Sequence, residues 1–498
     1  MEPIRFLSAA DMMKIHNTAK RVLERTGMEV ESPQAREYLR KAGCHVDHDT
    51  RRVRFPESVV EQSVATMRRQ YADPNRLAKR MSVRYSQIRF CSQKLGVHPD
   101  FSLNTGGFCV FTTGLEGKKH TATLADTRAS IRLADALPQI TYLGLPCAAQ
   151  DIPVNLRPVM MAAELAKATD KLGGIEVFNL RDLDWVTHIA EIVAGGKEQL
   201  RRNPVLIGYG EARTPLCLDE VMSDIFIEYI RRGLPQSLDT MPCTGTTAPG
   251  TLAGTLALGC AETLAGLCLG YAVDPDACLT VDFTPSFADS RTMAFSYGSI
   301  FRQRWIACRV QMISEFYGCP SGVHGSKTDS CYSDIQAGVE KAMSMVFPVL
   351  AGAIGIGTAG HVENALTFSP LQLVIDAQIA EQLRCVLRTV EVNDDALAAD
   401  VIDRIGPGGN FLMDDHTLDH LPHELTSSEL FNCLSWDTAH GPDHVSIVEQ
   451  ARAKAAKLMS QSARSVLSAS QISAIDHIVR DAAGQLGHTE IARRYPNL

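Results

Sequence analysis

The residues best suited to chemistry lie in the stretch YGCPSGVHGSKTDSCYSDIQAGVE, from Tyr317 to Glu340. An apolar approach ends in the polar, turn-rich run HGSKTDS, and a segment with helical spacing of apolar residues follows. This order predicts a strand, a loop and a helix. In α/β barrels such loops gather at the carboxyl ends of the strands, where catalytic groups are placed. We therefore expect Lys327, Asp329 and Ser330 at that edge.

Simpler uses of these side chains are also open. Asp329 or Ser330 would cap the following helix, and Lys327 would be a solvated lysine or part of a structural ion pair. A further use is a Schiff base between Lys327 and a carbonyl substrate, which requires a desolvated amine with a lowered pKa. These readings make different demands on the surroundings of Lys327.

The composition favours a large globular enzyme. The 498 residues are 45% hydrophobic and 21% charged, which is enough to bury a large core. A net charge of -8 and a pI of about 6.0 argue against a binder of nucleic acids or anionic membranes. We see no signal peptide and no uninterrupted membrane span of ~20 residues. The fourteen cysteines form no C-x-x-C pair, so we expect reduced core residues in the cytoplasm.

The amino-terminal region, residues 1–100, reads as a helical extension. Ser8 is a plausible cap for a helix over residues 8–27, and a helix over 33–42 and another within 58–67 follow. The basic stretch between Arg68 and Arg89 lacks regularly spaced stacking aromatics, so we take it as solvated surface rather than an RNA site.

Short apolar runs that alternate with helical segments fill residues 101–386. Candidate strands cover residues 140–149, 173–180, 204–212, 237–245, 277–286, 320–327 and 348–357. Repeated βα units imply a parallel sheet. Because no G-x-G-x-x-G follows the first strand, we favour a closed (β/α)8 TIM barrel over a doubly wound sheet. Residues 387–498 read as a second, carboxy-terminal helical extension packed on the barrel.

The run KTDSCYSDIQAGVE, residues 327–340, resembles a segment of the trimethylamine methyltransferase family. There, pyrrolysine is followed by a Ser-Asp-Ser stretch and by D-x-Q-A-G-x-E. Alignment on Asp334 and Glu340 puts Lys327 at the pyrrolysine position. Further ordered matches lie at residues 122–138, 246–266, 285–298 and 406–420. The chain is thus similar to the larger branch without pyrrolysine, whose characterised members demethylate quaternary amines such as glycine betaine.

This resemblance implies a barrel that passes a methyl group to the cobalt of a separate corrinoid protein. It implies no tightly bound cofactor in the chain itself, and we also expect a homo-oligomer. A quaternary amine leaves as a neutral amine and needs no proton, so positioning is the main task. Aromatic faces and a nearby carboxylate would hold the cation. Lys327 lacks the electrophilic ring of pyrrolysine, which argues for such a pre-activated substrate.

Lys327 could instead serve as the cation for the carboxylate of a betaine. A second departure from the pyrrolysine-bearing relatives follows Gly298, where Ser299 and Ile300 replace a Pro-Glu pair. The carboxylate that would steady a substrate adduct is therefore absent at this point of the alignment.

The candidate site residues fall into three groups. As catalytic residues we select Lys327, Asp329 and Tyr297. As substrate contacts we select Asp100, Phe101, Tyr209, Glu211, Phe301, His324, His361 and Phe368. For close approach of a large planar corrin we select Gly106, Gly107, Gly325, Ser326 and Ser330. The ordinary alternatives are aromatic core packing, a Glu211 that caps a helix or pairs with Arg213, and a buried, hydrogen-bonded His361.

Two further readings remain as alternatives. His416, His420 and His423 invite a zinc site because histidines at i and i+4 share a helix face. Pro422 is expected to interrupt that helix, so we predict no metal. A non-enzymatic sensor that binds a quaternary amine without transferring its methyl group is the last alternative.

Overall fold

The computed structural model describes residues 1–73, 96–107, 109–206, 210–425, 428–441, 444–461 and 466–497. Tyr209 and most of the basic stretch between Arg68 and Arg89 lie outside these ranges.

The amino-terminal region contains three helices and a small sheet. These elements are α1 (Ala9–Arg25), β1 (Met28–Val30), α2 (Pro33–Lys41), β2 (His45–Asp47), β3 (Arg52–Arg54) and α3 (Glu57–Ala72). Ser8 caps α1 as predicted, because its hydroxyl accepts from the main chain of Asp11 while the Asp11 carboxylate accepts from the main chain of Ser8. β1 pairs with a distant strand, Val30 lying opposite Leu218. The extension is therefore joined to the rest of the protein by backbone hydrogen bonds.

Parallel strands alternate with helices through the middle of the chain. The parallel strands are β4 (Ser102–Thr105), β7 (Tyr142–Leu143), β8 (Gly210–Ala212), β10 (Gln236–Thr240), β12 (Leu279–Val281), β15 (Gly322–Val323) and β16 (Gly355–Ile356). They form two parallel ladders, β8–β10–β12 and β7–β4–β16–β15. All seven strands point the same way within their ladders, so their carboxyl ends lie along a common edge in each.

Helices cover these strands. They are α4 (Leu124–Ala136), α5 (Arg157–Ala168), α6 (Leu180–Ala194), α7 (Lys197–Arg202), α8 (Glu220–Arg231), α9 (Leu252–Val273), α10 (Ile300–Val310, continued by a π-helical turn Gln311–Phe316), α11 (Ile335–Leu350) and α12 (Pro370–Val386). α9 corrects one expectation: it is long and apolar enough to span a membrane, yet 78% of its most apolar stretch is buried inside the protein. We read it as a core helix.

Short strands follow the parallel strands in the chain. They are β5 (Phe111–Thr112), β6 (His120–Thr121), β9 (Cys217–Leu218), β11 (Cys243–Thr244), β13 (Ser286–Ala288), β14 (Phe295–Ser296), β17 (His361–Val362) and β18 (Thr367–Phe368). Three pairs of them, β5–β6, β13–β14 and β17–β18, form antiparallel hairpins.

Two strand predictions are wrong, and one strand of the structure is not predicted. Residues 348–350 form the last turn of α11, so the strand predicted from 348 begins only at Gly355. Residues 173–180 form no strand; the parallel contact is a single bridge from Leu172 to Leu143. β4 was not among the candidate strands, although its four residues are all buried.

The carboxy-terminal region is helical. It contains α13 (Asp394–Leu397), α14 (Ala399–Ile405), α15 (Asp415–Glu424), α16 (Trp436–Ala439), α17 (Ile447–Met459), α18 (Ala469–Gln485) and α19 (Thr489–Arg494). Ala451, Ala455, Ile475 and Val479 of α17 and α18 are fully buried in the main core. The helices between 394 and 439 bury no residue at all.

Candidate functional site

A cavity of about 360 Å³ lies among the parallel strands. Its polar and aromatic lining includes Asn104, Tyr142, Glu176, Phe178, Asp239, Asp282, His324 and Thr358. Asp239 lies near the end of β10, His324 directly follows β15, and Thr358 lies two residues after the end of β16. The cavity therefore reaches the edge at which loops can place chemical groups.

Three carboxylates cluster beside this cavity. Asp239 of β10 lies opposite Glu211 of β8, and Glu176 is close enough to repel Glu211. Burial, followed by repulsion from Asp239 and Glu176, raises the pKa of Glu211 to about 7. Burial also raises the pKa of Asp239 to about 6, against the opposing attraction of Arg309 and Lys327. A cation placed here would relieve this repulsion, since it favours the charged carboxylates.

Glu211 does not pair with Arg213, which contradicts that alternative. Arg213 instead binds Glu31 of the amino-terminal region at 2.6 Å. Asp282, a third strand-end carboxylate, pairs with the buried Arg309.

Lys327 is buried, with 4% of its surface exposed. Its Nζ lies 3.7 Å from the centre of the Tyr297 ring, and its main-chain N–H donates to the Ser344 hydroxyl at 3.2 Å. Among the described residues, no carboxylate oxygen lies within 4 Å of Nζ, so both the solvated lysine and the structural ion pair are wrong. Burial, followed by repulsion from Arg302, lowers the pKa of Lys327 to about 7. Lys327 does not itself line the cavity.

Tyr297 is fixed by contacts of both its main chain and its side chain. The Asp329 carboxylate accepts from the main-chain N–H groups of Tyr297 at 2.9 Å and Gly298 at 2.6 Å. The Tyr297 hydroxyl donates to the sulfur of Met241 at 3.1 Å, and the buried Arg302 lies 5.0 Å from the ring centre. Burial raises the pKa of Tyr297 to about 12, so the phenol stays neutral at physiological pH.

Asp329 is thus a positioning residue rather than a helix cap. The cap of α11 is Asp334, whose carboxylate accepts from the main chain of Ala337 at 2.9 Å. Glu340, one turn further along α11, accepts from the Thr328 hydroxyl at 2.6 Å and from the Asp329 main chain at 2.9 Å. The loop that carries Lys327 is therefore tied to the helix that follows it.

A buried ion pair between two helices bonds to the loop at Ser326. Lys341 Nζ lies 2.7 Å from the Asp376 carboxylate, and neither side chain is exposed. The Lys341 ammonium also donates to the main-chain carbonyl of Ser326 at 2.7 Å, and the Ser326 hydroxyl donates to Asp376 at 3.0 Å. Sequence reasoning missed this pair and the role of Glu340, because Lys341 and Asp376 lie 35 positions apart in the chain and Thr328 and Glu340 lie 12 apart.

Two histidines flank Lys327. His324 lines the cavity, and burial followed by repulsion from Lys327 lowers its pKa to about 3, so it is neutral. His361 is completely buried, and neither of its ring nitrogens has a hydrogen-bond partner. The expectation of a satisfied core histidine is therefore wrong, and an unpaired buried imidazole needs an explanation such as a ligand or water.

The remaining candidates lie in different places. Gly106 and Gly107 line the cavity. Ser326 and Ser330 are buried; Ser326 bonds to Asp376 of α12, and Ser330 bonds to Thr328 within the loop. A Cβ on Gly325 would lie 2.8 Å from the Ser344 carbonyl oxygen. These last three positions pack the loop and do not line the cavity.

The aromatic candidates separate into core and surface. Phe101 and Phe368 are buried core residues, and Phe101 stands with the exposed Asp100 before β4, at the amino end of that strand. Phe301 is 84% exposed at the start of α10. None of these four lines the cavity. Tyr209 lies outside the described residues.

The histidine cluster near the C-terminus differs from its prediction. α15 continues through Pro422, so His416 and His420 do share a face and stack 4.1 Å apart. Their ring nitrogens and an Asp395 carboxylate oxygen lie within 4.8 Å of one another. Pro422 therefore gives no reason to exclude a metal, although His416 and His420 each hydrogen-bond or ion-pair with Asp395.

Comparison of the sequence with known families decides the affiliation of the chain. The profile of the trimethylamine methyltransferase (MTTB) family matches residues 1–484. The chain belongs to the trimethylamine methyltransferase family. It is accordingly a methyltransferase, and this match confirms the resemblance carried by residues 327–340.

Curated relatives of this family member have two kinds of name. A trimethylamine methyltransferase MttB of Desulfitobacterium hafniense is 29% identical over 414 residues, which cover 83% of this chain and 81% of the relative. A glycine betaine methyltransferase of the same species is 28% identical over 436 residues, covering 87% and 88%. The monomethylamine methyltransferase MtmB of Methanosarcina barkeri aligns in structure over 90% of this chain and 93% of its own, with 12% identity and a TM-score of 0.38.

Proposed function

We propose that this methyltransferase moves a methyl group from a betaine-like quaternary amine to Co(I) of a corrinoid carried by a separate protein. The observation that carries this proposal is the cluster of Glu176, Glu211 and Asp239 beside the cavity, whose mutual repulsion a permanent cation would relieve. Tyr142 and Phe178 add aromatic faces to the same cavity. One relative is named glycine betaine methyltransferase.

The reaction needs little proton chemistry from the protein. The carbon–nitrogen bond breaks with its electron pair left on nitrogen, and the methyl carbon bonds to the cobalt of the acceptor. The leaving group is a neutral tertiary amine, so no side chain must supply a proton. The chain contributes orientation of the ammonium and exclusion of water. The neutral Tyr297 and His324 suit such a site, because neither offers an acidic proton.

Lys327 does not line the cavity, but it acts electrostatically on His324 and Asp239 of the lining, and this proximity suits it to the carboxylate end of a zwitterionic substrate. Its amine titrates near neutral pH and rests on Tyr297 without a carboxylate partner among the described residues. A substrate carboxylate would supply the missing counter-charge and raise the pKa of Lys327. On this proposal Lys327 recognises the carboxylate while Glu211 and Asp239 recognise the ammonium.

Apolar side chains near the same edge would receive the corrinoid protein. Phe301 at the start of α10 and Ile335 at the start of α11 are 84% and 87% exposed. Both helices begin just after the segments that carry Tyr297 and Lys327. Exposed apolar surface of this kind is typical of a protein contact. We therefore assign Phe301 to the partner rather than to the substrate.

The remaining parts of the proposal are architectural. We propose that the parallel strands close into a (β/α)8 barrel over residues 101–386, with helical extensions over 1–100 and 387–498. We place the protein in the cytoplasm, where the thirteen cysteines among the described residues would stay reduced as free thiols.

The reaction is tested by an anaerobic assay with reduced free cobalamin and a panel of quaternary and tertiary amines. We expect the methyl-Co(III) spectrum to grow with a betaine and not with trimethylamine. Glu211→Gln and Asp239→Asn should each raise KM at least tenfold, whereas Glu198→Gln, a carboxylate on the exposed surface of α7, should not change it. Binding of a betaine without methyl transfer would favour the sensor.

The role of Lys327 is tested by comparing a zwitterion with a simple cation. Lys327→Ala should raise KM for glycine betaine and leave KM for tetramethylammonium, which lacks a carboxylate, unchanged. An equal rise in KM for both substrates would refute carboxylate recognition. A covalent adduct on Lys327 after borohydride treatment with a carbonyl compound would instead favour Schiff-base chemistry.

The partner surface is tested by changing the methyl acceptor. Phe301→Glu and Ile335→Glu should raise KM for the corrinoid protein but leave the rate with free cobalamin unchanged. Equal losses with both acceptors would mean that these residues act on the site itself.

A further inference from the structure

The C-terminal arm, defined as residues 386–445, leaves an unusual amount of apolar surface in water. Of the 30 exposed large hydrophobic side chains among the described residues, 15 lie in these 60 residues. They are Val386, Val390, Val392, Leu397, Ile402, Phe411, Leu412, Met413, Leu418, Leu421, Leu425, Phe431, Leu434, Trp436 and Val445. Such density on one segment marks a surface that is covered by another molecule.

The arm is structured although it has no core of its own. Its helices are capped by Asn393, Asp414 and Ser435. Among the described arm residues only Leu387, Asp414 and Leu430 are buried, and the two leucines join the main core. The arm is therefore anchored near its start and near residue 430, while the helices described between these points bury none of their side chains.

The exposed area matches what a stable protein contact requires. The usual transfer energies per side chain and per unit area imply roughly 60 to 120 Å² of apolar surface for a large side chain. Fifteen side chains, each 38% to 82% exposed, then present on the order of 500 to 1,000 Å². A standard interface buries about 800 Å² on each partner.

The charge of the arm restricts how a partner can lie on it. The arm holds twelve Asp and Glu residues and two Arg residues, a net charge of -10, whereas the rest of the chain holds 45 acidic and 47 basic residues, a net charge of +2. Two arms pressed together would repel each other. An arm laid on the body of a second copy meets a surface of opposite net charge.

The arm begins at the opposite ends of the parallel strands from the loop of Lys327. Arg384, two residues before the arm, donates to the main-chain carbonyls of Phe101 and Gln139, which precede β4 and β7. The arm therefore starts at the amino ends of the parallel strands. A partner that must reach the carboxyl ends to accept a methyl group is not the natural occupant of this surface.

We propose that the arm is an intersubunit element: the apolar face of residues 386–445 covers the body of a second copy of this chain, and the arm of that copy reciprocates. Such an exchange closes as a twofold dimer, in which each subunit gives and receives one arm. This inference does not depend on the substrate proposed above.

The oligomeric state tests this inference directly. We expect light scattering after size exclusion, and sedimentation velocity, to give a dimer or a multiple of it at micromolar concentration. The double variant Leu412→Glu/Met413→Glu and, independently, Val390→Glu should raise the dissociation constant by about 100-fold or more and give monomers. These side chains are 64%, 82% and 82% exposed, so the subunit should keep its circular dichroism spectrum.

A matched control compares the arm variants with a similar substitution at the carboxyl edge of the strands. Ile335→Glu changes a side chain that is 87% exposed at the carboxyl edge and should leave the oligomer intact. A monomeric wild-type protein, or an oligomer that persists in both arm variants, would overturn the inference. It would equally be overturned if hydrogen exchange in the arm were slowed only by added corrinoid protein.

Discussion

The buried Lys327 should cost the protein stability, and its replacement by methionine measures that cost. The pKa of Lys327 falls from its usual 10.5 to about 7 because burial and the charge of Arg302 oppose the ammonium. At about 1.4 kcal/mol per pKa unit, this fall corresponds to about 5 kcal/mol of penalty on the charged form. Methionine fills a similar volume without a charge, so Lys327→Met should stabilise the protein by roughly 2 to 5 kcal/mol at pH 6 to 7.

The direction of the pKa shift determines how the stability of the wild-type protein changes with pH. Between pH 7 and 10.5 the unfolded chain binds a proton at Lys327 that the folded chain does not, so wild-type stability rises with pH across this window. Below pH 7 the penalty is present in full. The advantage of Lys327→Met should therefore be greatest at pH 6 to 7 and shrink steadily towards pH 10.

Urea and thermal denaturation of both proteins at pH 6, 7, 8 and 9 measure this difference. Methionine at the exposed position of Lys197 is the matched control and should change neither the midpoint nor its pH dependence. A Lys327→Met protein that is less stable than the wild type, or that follows the same pH profile, would refute the reasoning. The ammonium would then be stabilised in the folded state, and the lowered pKa would be wrong.

Three further variants test the support of Lys327. Gly298→Ala would put a Cβ 2.3 Å from the Asp329 main-chain nitrogen, so we expect a loss of about 1 to 3 kcal/mol in urea denaturation and a fall in methyl transfer. Lys341→Met leaves the buried Asp376 unpaired and should lower the free energy of unfolding by about 3 to 5 kcal/mol. Adding Asp376→Leu should recover much of that loss. Tyr297→Phe keeps the ring under Lys327, so it should lower the free energy of unfolding by less than about 1.5 kcal/mol and retain methyl-transfer activity. A larger loss of stability or activity would assign the hydroxyl a role beyond its bond to Met241.

Local features of the fold were predictable from the sequence. The cap at Ser8, the ends of the first helices and the helix after the loop of Lys327 depend on residues within a few positions of one another, and the structure has them. The strand predicted from residue 348 failed because an apolar run reads equally well as the last turn of a helix.

The site was only partly predictable, for a physical reason. The surroundings of Lys327 come from Tyr297, Arg302 and Lys341, which approach it only in three dimensions. Glu211 could be singled out as a carboxylate at a strand end, but its neighbour Asp239 could not. Nothing in one sequence distinguishes a core phenylalanine such as Phe368 from one that faces a ligand.

The backbone of the loop at 327 owes its shape to other residues. Ser344 holds the main chain of Lys327 itself, Glu340 holds the next two positions, and Asp329 reaches across to residues 297 and 298. None of these bonds uses the side chain at position 327. The fold of this loop is therefore encoded separately from the side chain that it presents. A different side chain that fits the space around position 327 would be held on the same backbone, so the chemistry at this position can change while the loop does not.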